Sequence, residues 1–207
     1  SVDAASRGYL GISKARHGRL RRRTPSVKVK ARARDYFAAV ARRWDRMRED
    51  FFDETIADSI LQASDVRPNS IVVDVGCGTG FLTQQVATRT HASGKTVGVD
   101  LSTSMLQVAK DNMARLGLLE SVEFRVGDAE KLPIDDGFAD AVVGNMILHH
   151  CPRPKQAICE MTRVLKEGGR LALADLEKHN ERWLREELDD RCLGFELAGA
   201  KEGFRDA

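Results

Sequence analysis

The stretch Ile71-Val72-Val73-Asp74-Val75-Gly76-Cys77-Gly78-Thr79-Gly80-Phe81-Leu82 decides the fold. A β-branched apolar run ends in a carboxylate, passes through a loop with glycine at every second position, and continues into helix-compatible residues. The pattern predicts a strand, a tight turn and a helix start. Glycine suits such a turn because the backbone takes positive φ angles there and lets a ligand approach with no Cβ in the way. A strand, loop and helix of this kind point to a nucleotide-type pocket.

Downstream the same unit recurs. Leu82, Val86 and Ala87 predict a helix, and Thr96-Val97-Gly98-Val99-Asp100 a second strand that also ends in a carboxylate. Ser102 is a plausible N-cap for a helix whose stripe is Met105, Ala109, Met113 and Leu116. Val122 to Val126 alternates as a third strand closed by Gly127-Asp128, and Ala139 to Val143 makes a fourth, running into Gly144-Asn145-Met146-Ile147-Leu148-His149-His150. Pro152 and Pro154 fit the start of a helix with Ile158, Met161, Val164 and Leu165 on its buried side and Gly168-Gly169 at its end. Arg170 to Asp175 is the fifth strand, and a polar helix is expected at about 181–191. Strands alternating with helices at this spacing imply right-handed crossovers. The fold class is α/β: a Rossmann-like, doubly wound, mostly parallel sheet with helices on both faces.

Upstream, Tyr36, Phe37, Val40, Ala41, Trp44, Met47 and Phe51 recur at three- and four-residue steps, the mark of an amphipathic helix with an aromatic face. A second helical segment runs from about 53 to 63. Residues 35–66 are therefore read as N-terminal helices capping the pocket, with Tyr36 and Trp44 closing it, and residues 67–207 as the core. The first 34 residues hold eleven Lys and Arg against the single acid Asp3, leaving 22 basic against 30 acidic residues in the rest of the chain. This leader is expected to be disordered. It reads as a basic arm for nucleic acid or anionic lipid, as an organelle transit peptide, or as an irrelevant leader. The chain begins at Ser1, which suggests a missing or removed beginning.

Composition narrows the function further. With 42% hydrophobic and 31% charged residues in 207, the chain has the make-up of one soluble domain, and no apolar run approaches the roughly 20 residues that span a bilayer. The acidic body argues against nucleic-acid binding by the folded part. Cys77, Cys151, Cys159 and Cys192 show no zinc-like spacing and read as reduced thiols of a cytoplasmic protein; no metal site is expected.

Ligands of open α/β sheets bind outside the carboxyl ends of the strands, near the point where strand order reverses. Here four strands end in Asp74, Asp100, Asp128 and Asp175. Asp100 lies twenty residues beyond Gly80, where an acid accepts hydrogen bonds from a ribose, and Asp128 is placed to meet an adenine amino group. A dinucleotide fingerprint would need glycine where this chain has Phe81, and Asp74 would repel a pyrophosphate. S-adenosylmethionine (SAM) has no phosphates and carries an ammonium and a sulfonium, which a carboxylate and an aromatic face accommodate.

At this point four motifs together, V-V-D-V-G-C-G-T-G-F, V-G-V-D-L-S, G-D-A-E-K-L-P and R-V-L-K-E-G-G-R-L, resemble the class I SAM-dependent methyltransferases. The resemblance implies SAM as cofactor, with Asp74, Gly76, Cys77 and Gly78 around its methionine part. It also implies Asp100 at the ribose, Leu101 and Met105 flanking the adenine, Asp128 and Ala129 at its edge, and Asn145 towards the sulfonium. Tyr36-Phe37 with Trp44-Asp45, the Asn145 to His150 run, and Asp175 to Asn180 are most similar to methyltransferases associated with corrinoid proteins or fused to ArsR-type regulators. Quinone and sterol C-methyltransferases, and arsenite methyltransferases, share much of the same core, although Cys151, Cys159 and Cys192 do not match the thiol spacing expected for arsenic chemistry.

The expected reaction is in-line methyl transfer from SAM to a small-molecule acceptor. His149 and His150 are the candidates for a general base or substrate contact, because imidazole titrates near neutrality. His179 is a further candidate at the substrate mouth. A SAM-binding scaffold without turnover keeps the same loop and Asp100, and an NAD-dependent oxidoreductase is the remaining alternative. Members of this family usually add two strands after the fifth helix, whereas this chain ends at Ala207. The C-terminal strands are thus expected to be missing, the fifth strand to have an open edge, and a homodimer to cover it.

Overall fold

The computed structural model describes residues 8–13, 27–48, 55–90, 93–180 and 192–195. Its elements run β1 (Gly8–Ser13), α1 (Val27–Arg48), α2 (Thr55–Ala63), β2 (Ile71–Val75), α3 (Phe81–Arg89), β3 (Lys95–Asp100), α4 (Thr103–Arg115), β4 (Val122–Val126), β5 (Ala139–Asn145), α5 (Pro154–Arg163) and β6 (Leu165–Leu176). The six strands form one sheet in the order β1-β6-β5-β2-β3-β4, and every pair is parallel. Order reverses between β2 and β5. The expected doubly wound core is present.

β2 shows why these residues form a central strand. Val72, Val73, Asp74 and Val75 are all buried, so the strand is covered on both faces and reads as a continuous apolar run interrupted by one acid. Successive side chains serve opposite layers. Val73 and Val75 join a core with Ala157, Ile158 and Met161 of α5, while Val72 joins one with Ile60 and Leu61 of α2 and Leu82 and Val86 of α3. α4 starts at the expected cap, Ser102, whose hydroxyl accepts from the Met105 amide at 3.3 Å, and it buries Met105, Leu106, Ala109 and Met113.

Several expectations change. Within the segment 1–34, read as a disordered leader, Gly8–Ser13 forms an edge strand and α1 begins at Val27. β1 lies parallel along β6, from Gly8 opposite Leu171 to Ser13 opposite Leu176. The edge expected to be open for a second copy is therefore occupied within the chain. α5 ends at Arg163 and β6 starts at Leu165, earlier than the Gly168-Gly169 boundary, because Leu165 already pairs with Ala139 of β5. The helix expected at about 181–191, with Trp183, lies outside the described residues. No helix among them is long and apolar enough to cross a membrane.

Candidate functional site

A pocket lies over the carboxyl ends of β2, β3 and β5, where the strand order reverses. Its floor is the glycine loop, which hangs from β3: the amides of Gly76 and Cys77 both donate to the Val99 carbonyl, at 2.8 and 3.1 Å. The loop glycines do different work. Gly76, at φ 71°, has no room for a side chain, since a Cβ there would lie 2.5–2.9 Å from atoms of the Ile147 side chain. Gly78, at φ 54°, faces the pocket, where a Cβ would meet nothing nearer than Met105 Cε at 3.7 Å and Trp44 Nε1 at 4.0 Å. So Gly76 is required by packing, and Gly78 leaves the cradle open.

Two carboxylates flank the loop. Asp100 accepts from the Gly78 amide at 2.9 Å and the Ser102 amide at 2.8 Å, which fixes its plane and leaves further lone pairs on its oxygens. Its pKa is raised, chiefly by burial, against the lowering effect of those amides. Asp74 is 1% exposed and accepts the Thr83 hydroxyl at 2.6 Å. Burial raises its pKa to about 7; the Thr83 hydrogen bond opposes the shift and the negative charge of Asp100 adds to it. Cys77, also buried, has its thiol pushed well up by burial and then by these two acids, so it is a neutral wall residue. Asp128 accepts the Glu130 amide at 2.9 Å and lines the pocket beside Ala129, Leu101 and Met105.

The opposite wall is aromatic and comes from distant parts of the chain. Phe37 of α1 stands at its centre, edge-on to Trp44 at 5.3 Å, to Tyr36 at 5.2 Å and to His150 at 4.9 Å. Phe37, Trp44 and His150 line the pocket, together with Phe81, Met146 and Ile147. Asn145 ends β5 at the pocket and keeps a buried Oδ1 with no hydrogen-bond partner among the described residues. The next residue, Met146, takes φ 57°, a left-handed conformation uncommon for a non-glycine residue, held by its amide donating to the Ala174 carbonyl at 2.8 Å.

The structure separates residues that the sequence grouped. His149 is 2% exposed and turns away from the pocket, with Nδ1 2.6 Å from Asp175 Oδ1. Asp175 also accepts the Leu148 and Leu176 amides, so this strand-end acid anchors the loop and does not line the pocket. Of the two histidines only His150 reaches the wall. Tyr36 packs behind Phe37, and His179 is buried against the 192–195 segment through its amide and the Leu193 carbonyl. Sequence reasoning passed over Phe37, although its seven-residue spacing from Trp44 puts both on one helix face. Among the described residues no group of three His, Cys, Asp or Glu is placed to hold a metal.

Comparison with known proteins agrees with this architecture. A family model described as "Methyltransferase domain" matches residues 67–200. The chain is 36% identical over 140 residues to the ubiquinone/menaquinone biosynthesis C-methyltransferase UbiE of Ectopseudomonas mendocina (strain ymp), covering 67% of this chain and 55% of that protein. The chain thus spans about half the length of the curated relatives it matches. Among solved structures it is similar to a methyltransferase in complex with the Trm112 methyltransferase activator of Haloferax volcanii, with TM-score 0.71, 27% identity, and 82% and 74% of the two chains covered. It is also similar to the [4+2]-cyclase SpnF, with TM-score 0.64, 27% identity, and 73% and 55% covered. The nearer likeness to corrinoid-associated and ArsR-fused enzymes is not borne out; quinone C-methyltransferases appear instead. Through the domain at 67–200, the chain belongs to the class I SAM-dependent methyltransferases.

Proposed function

We propose that the pocket binds SAM and that the protein transfers its methyl group to a small ring-containing acceptor. One observation carries this reading: among the described residues the pocket is lined by Asp74, Asp100 and Asp128 and by no Lys or Arg. Burial raises the pKa of Asp74 and of Asp100, and the charge of Asp100 adds to the shift on Asp74, so a cationic ligand is favoured over a pyrophosphate: a nearby positive charge relieves both the desolvation and the repulsion. The donor set fits SAM in detail. Asp100, held by two amides, has lone pairs for the ribose diol, and Gly78 leaves the space for the sulfur-bearing chain. The orphaned Asn145 Oδ1 suits an ammonium or a bridging water, and Asp128 with Ala129 suits the adenine edge.

When bound, SAM supplies an activated methyl that an in-line displacement moves to a nucleophile, releasing a neutral thioether. The chain's own task is alignment and the exclusion of water. Phe37 and Trp44 roof the pocket with apolar edges, Met146 and Ile147 close the floor of the acceptor side, and His150 is the wall residue able to take a proton from the acceptor. The aromatic wall suits a flat ring. The quinone named in the relatives' descriptions is accordingly the first acceptor class to try.

Calorimetry with SAM and NAD, followed by assay of labelled methyl transfer to reduced quinones lacking the ring methyl, tests the reading. Asp100→Ala should weaken SAM binding by about 1–3 kcal/mol through lost charge-assisted hydrogen bonds. An unchanged affinity, or tighter binding of NAD, would sink the assignment. The similarity to a cyclase favours a second reading, a SAM-binding protein whose pocket serves another chemistry. SAM binding with no methylated product from any acceptor class would support it.

A further inference from the structure

α1 is held over the pocket by both packing and polar contacts. Among its described side chains only Val40 and Ala41 are buried, while Ala38, Ala39, Arg42, Arg43 and Arg46 are exposed. It packs on α4, and a polar cluster fastens it there. Asp45 Oδ1 accepts the Thr79 hydroxyl at 2.5 Å, and its other oxygen accepts Asn112 Nδ2 at 3.2 Å. Asn112, on α4, also donates to the Thr79 carbonyl at 2.9 Å, and Arg115 donates to the Asn112 side-chain oxygen.

Thr79 stands between Gly78, which faces the pocket, and Gly80, from which α3 starts; its side chain is buried. The residue before Asp45 is Trp44, whose Nε1 lies 4.0 Å from where a Cβ on Gly78 would sit. Consecutive residues of α1 therefore do two things at one place: Asp45 grips the glycine loop and Trp44 roofs it. A buried hydroxyl donating to a carboxylate is a charge-assisted bond, stronger than a neutral pair, and it fixes loop and helix against each other.

We propose that Asp45 is a positioning residue that latches α1 to the glycine loop through Thr79 and Asn112, so that the cradle and its aromatic roof are set together. The consequence for ligand binding rests on the SAM reading above; the latch itself does not. Without it Trp44 loses its fixed place over Gly78, and the loop loses the partner that orients Thr79.

The test uses the full chain with Trp183→Phe, which leaves Trp44 as the sole indole. Acrylamide quenching of Trp44 without ligand reads the latch, and calorimetry with SAM reads its effect on the cradle. Asp45→Ala and the isosteric Thr79→Val should each raise Trp44 quenching about twofold and weaken SAM binding about tenfold, with the double variant close to the worse single one. Thr79→Ser, which keeps the hydroxyl, should keep Trp44 shielded. A urea titration monitors folding, and Thr79→Val carries the test if Asp45→Ala unfolds. Unchanged quenching in both single variants, or effects that multiply in the double variant, would overturn the latch. If the parent binds no SAM, the functional reading fails while quenching still decides the latch.

Discussion

The two ends of the pocket are built from different materials. At the glycine-loop end, shape comes from the backbone: Val99 holds two loop amides, and the Gly78 and Ser102 amides hold Asp100, so the loop is set by contacts between the ends of the paired strands β2 and β3. At the aromatic end, shape comes from side chains that meet only in the folded chain: Phe37 and Trp44 of α1, His150 after β5, and Asp175 of β6 behind His149. The first end rests on backbone hydrogen bonds between neighbouring strands. The second depends on tertiary packing, which is where related enzymes on one fold vary what they bind.

The sharpest division falls inside the glycine loop itself. Gly76→Ala should destabilise the protein by about 3 kcal/mol, since the new methyl meets the Ile147 side chain within 3 Å and the residue is held at φ 71°. Gly78→Ala should cost only about 1–2 kcal/mol of stability, from its left-handed backbone, and should act mainly on ligand affinity by filling the cradle. Urea unfolding and calorimetry separate the two outcomes. Equal losses of stability would break the distinction between a packing glycine and a cradle glycine. Partial rescue of Gly76→Ala by Ile147→Ala would sharpen it.

At the aromatic end the corresponding pair is His149 and His150. Asp175→Ala removes the acceptor for two amides and the His149 ring and should cost about 2–3 kcal/mol, because buried donors are left without a partner. His150→Ala should cost less than about 1.5 kcal/mol of stability and should appear mainly as lost turnover. If both variants lower stability equally, His150 is a structural residue and the proposed base lies elsewhere. The measurement is the urea midpoint of each variant at constant pH, read beside single-turnover methyl transfer.

How far the sequence was legible follows the same line. Val72 to Gly80 and Ser102 were readable because each effect acts within a few residues, as β-branched burial, glycine conformation or an N-cap, and Asp100 because the strand–loop–helix–strand unit fixes its distance from the loop. The choice of Phe37 over Tyr36 was not, since a helical stripe shows which residues share a face and not what that face meets. Nor was the parting of His149 from His150, which depends on Asp175, 26 residues away. Gly8-Tyr9-Leu10-Gly11-Ile12-Ser13 carries a short apolar island within a basic segment. Its pairing with β6 spans over 160 residues, and no local pattern encodes a partner at that distance.

The effect that builds up most gradually, one pH unit at a time, joins the two descriptions of Asp74, as a buried residue and as a cation contact. Its folded pKa of about 7 lies above the ordinary value of 3.8. Between those limits the native protein holds a proton that the unfolded chain has released, so stability falls as pH rises from about 4 to about 7 and then levels. Asp74→Asn keeps an oxygen for the Thr83 hydroxyl and has nothing to titrate, so the parent should lose stability relative to the variant over that window, by at most about 1.4 kcal/mol per pH unit. Ligand binding should run the other way. A cation near Asp74 favours the carboxylate, so SAM affinity should rise from pH 5 to pH 7 and flatten above it, and Asp74→Asn should be weaker and flat throughout. A parent affinity independent of pH between 5 and 7 would mean that Asp74 keeps one protonation state on binding. The charge complementarity at the glycine-loop end would then rest on Asp100 and Asp128, with Asp74 serving only to hold Thr83 against the start of α3.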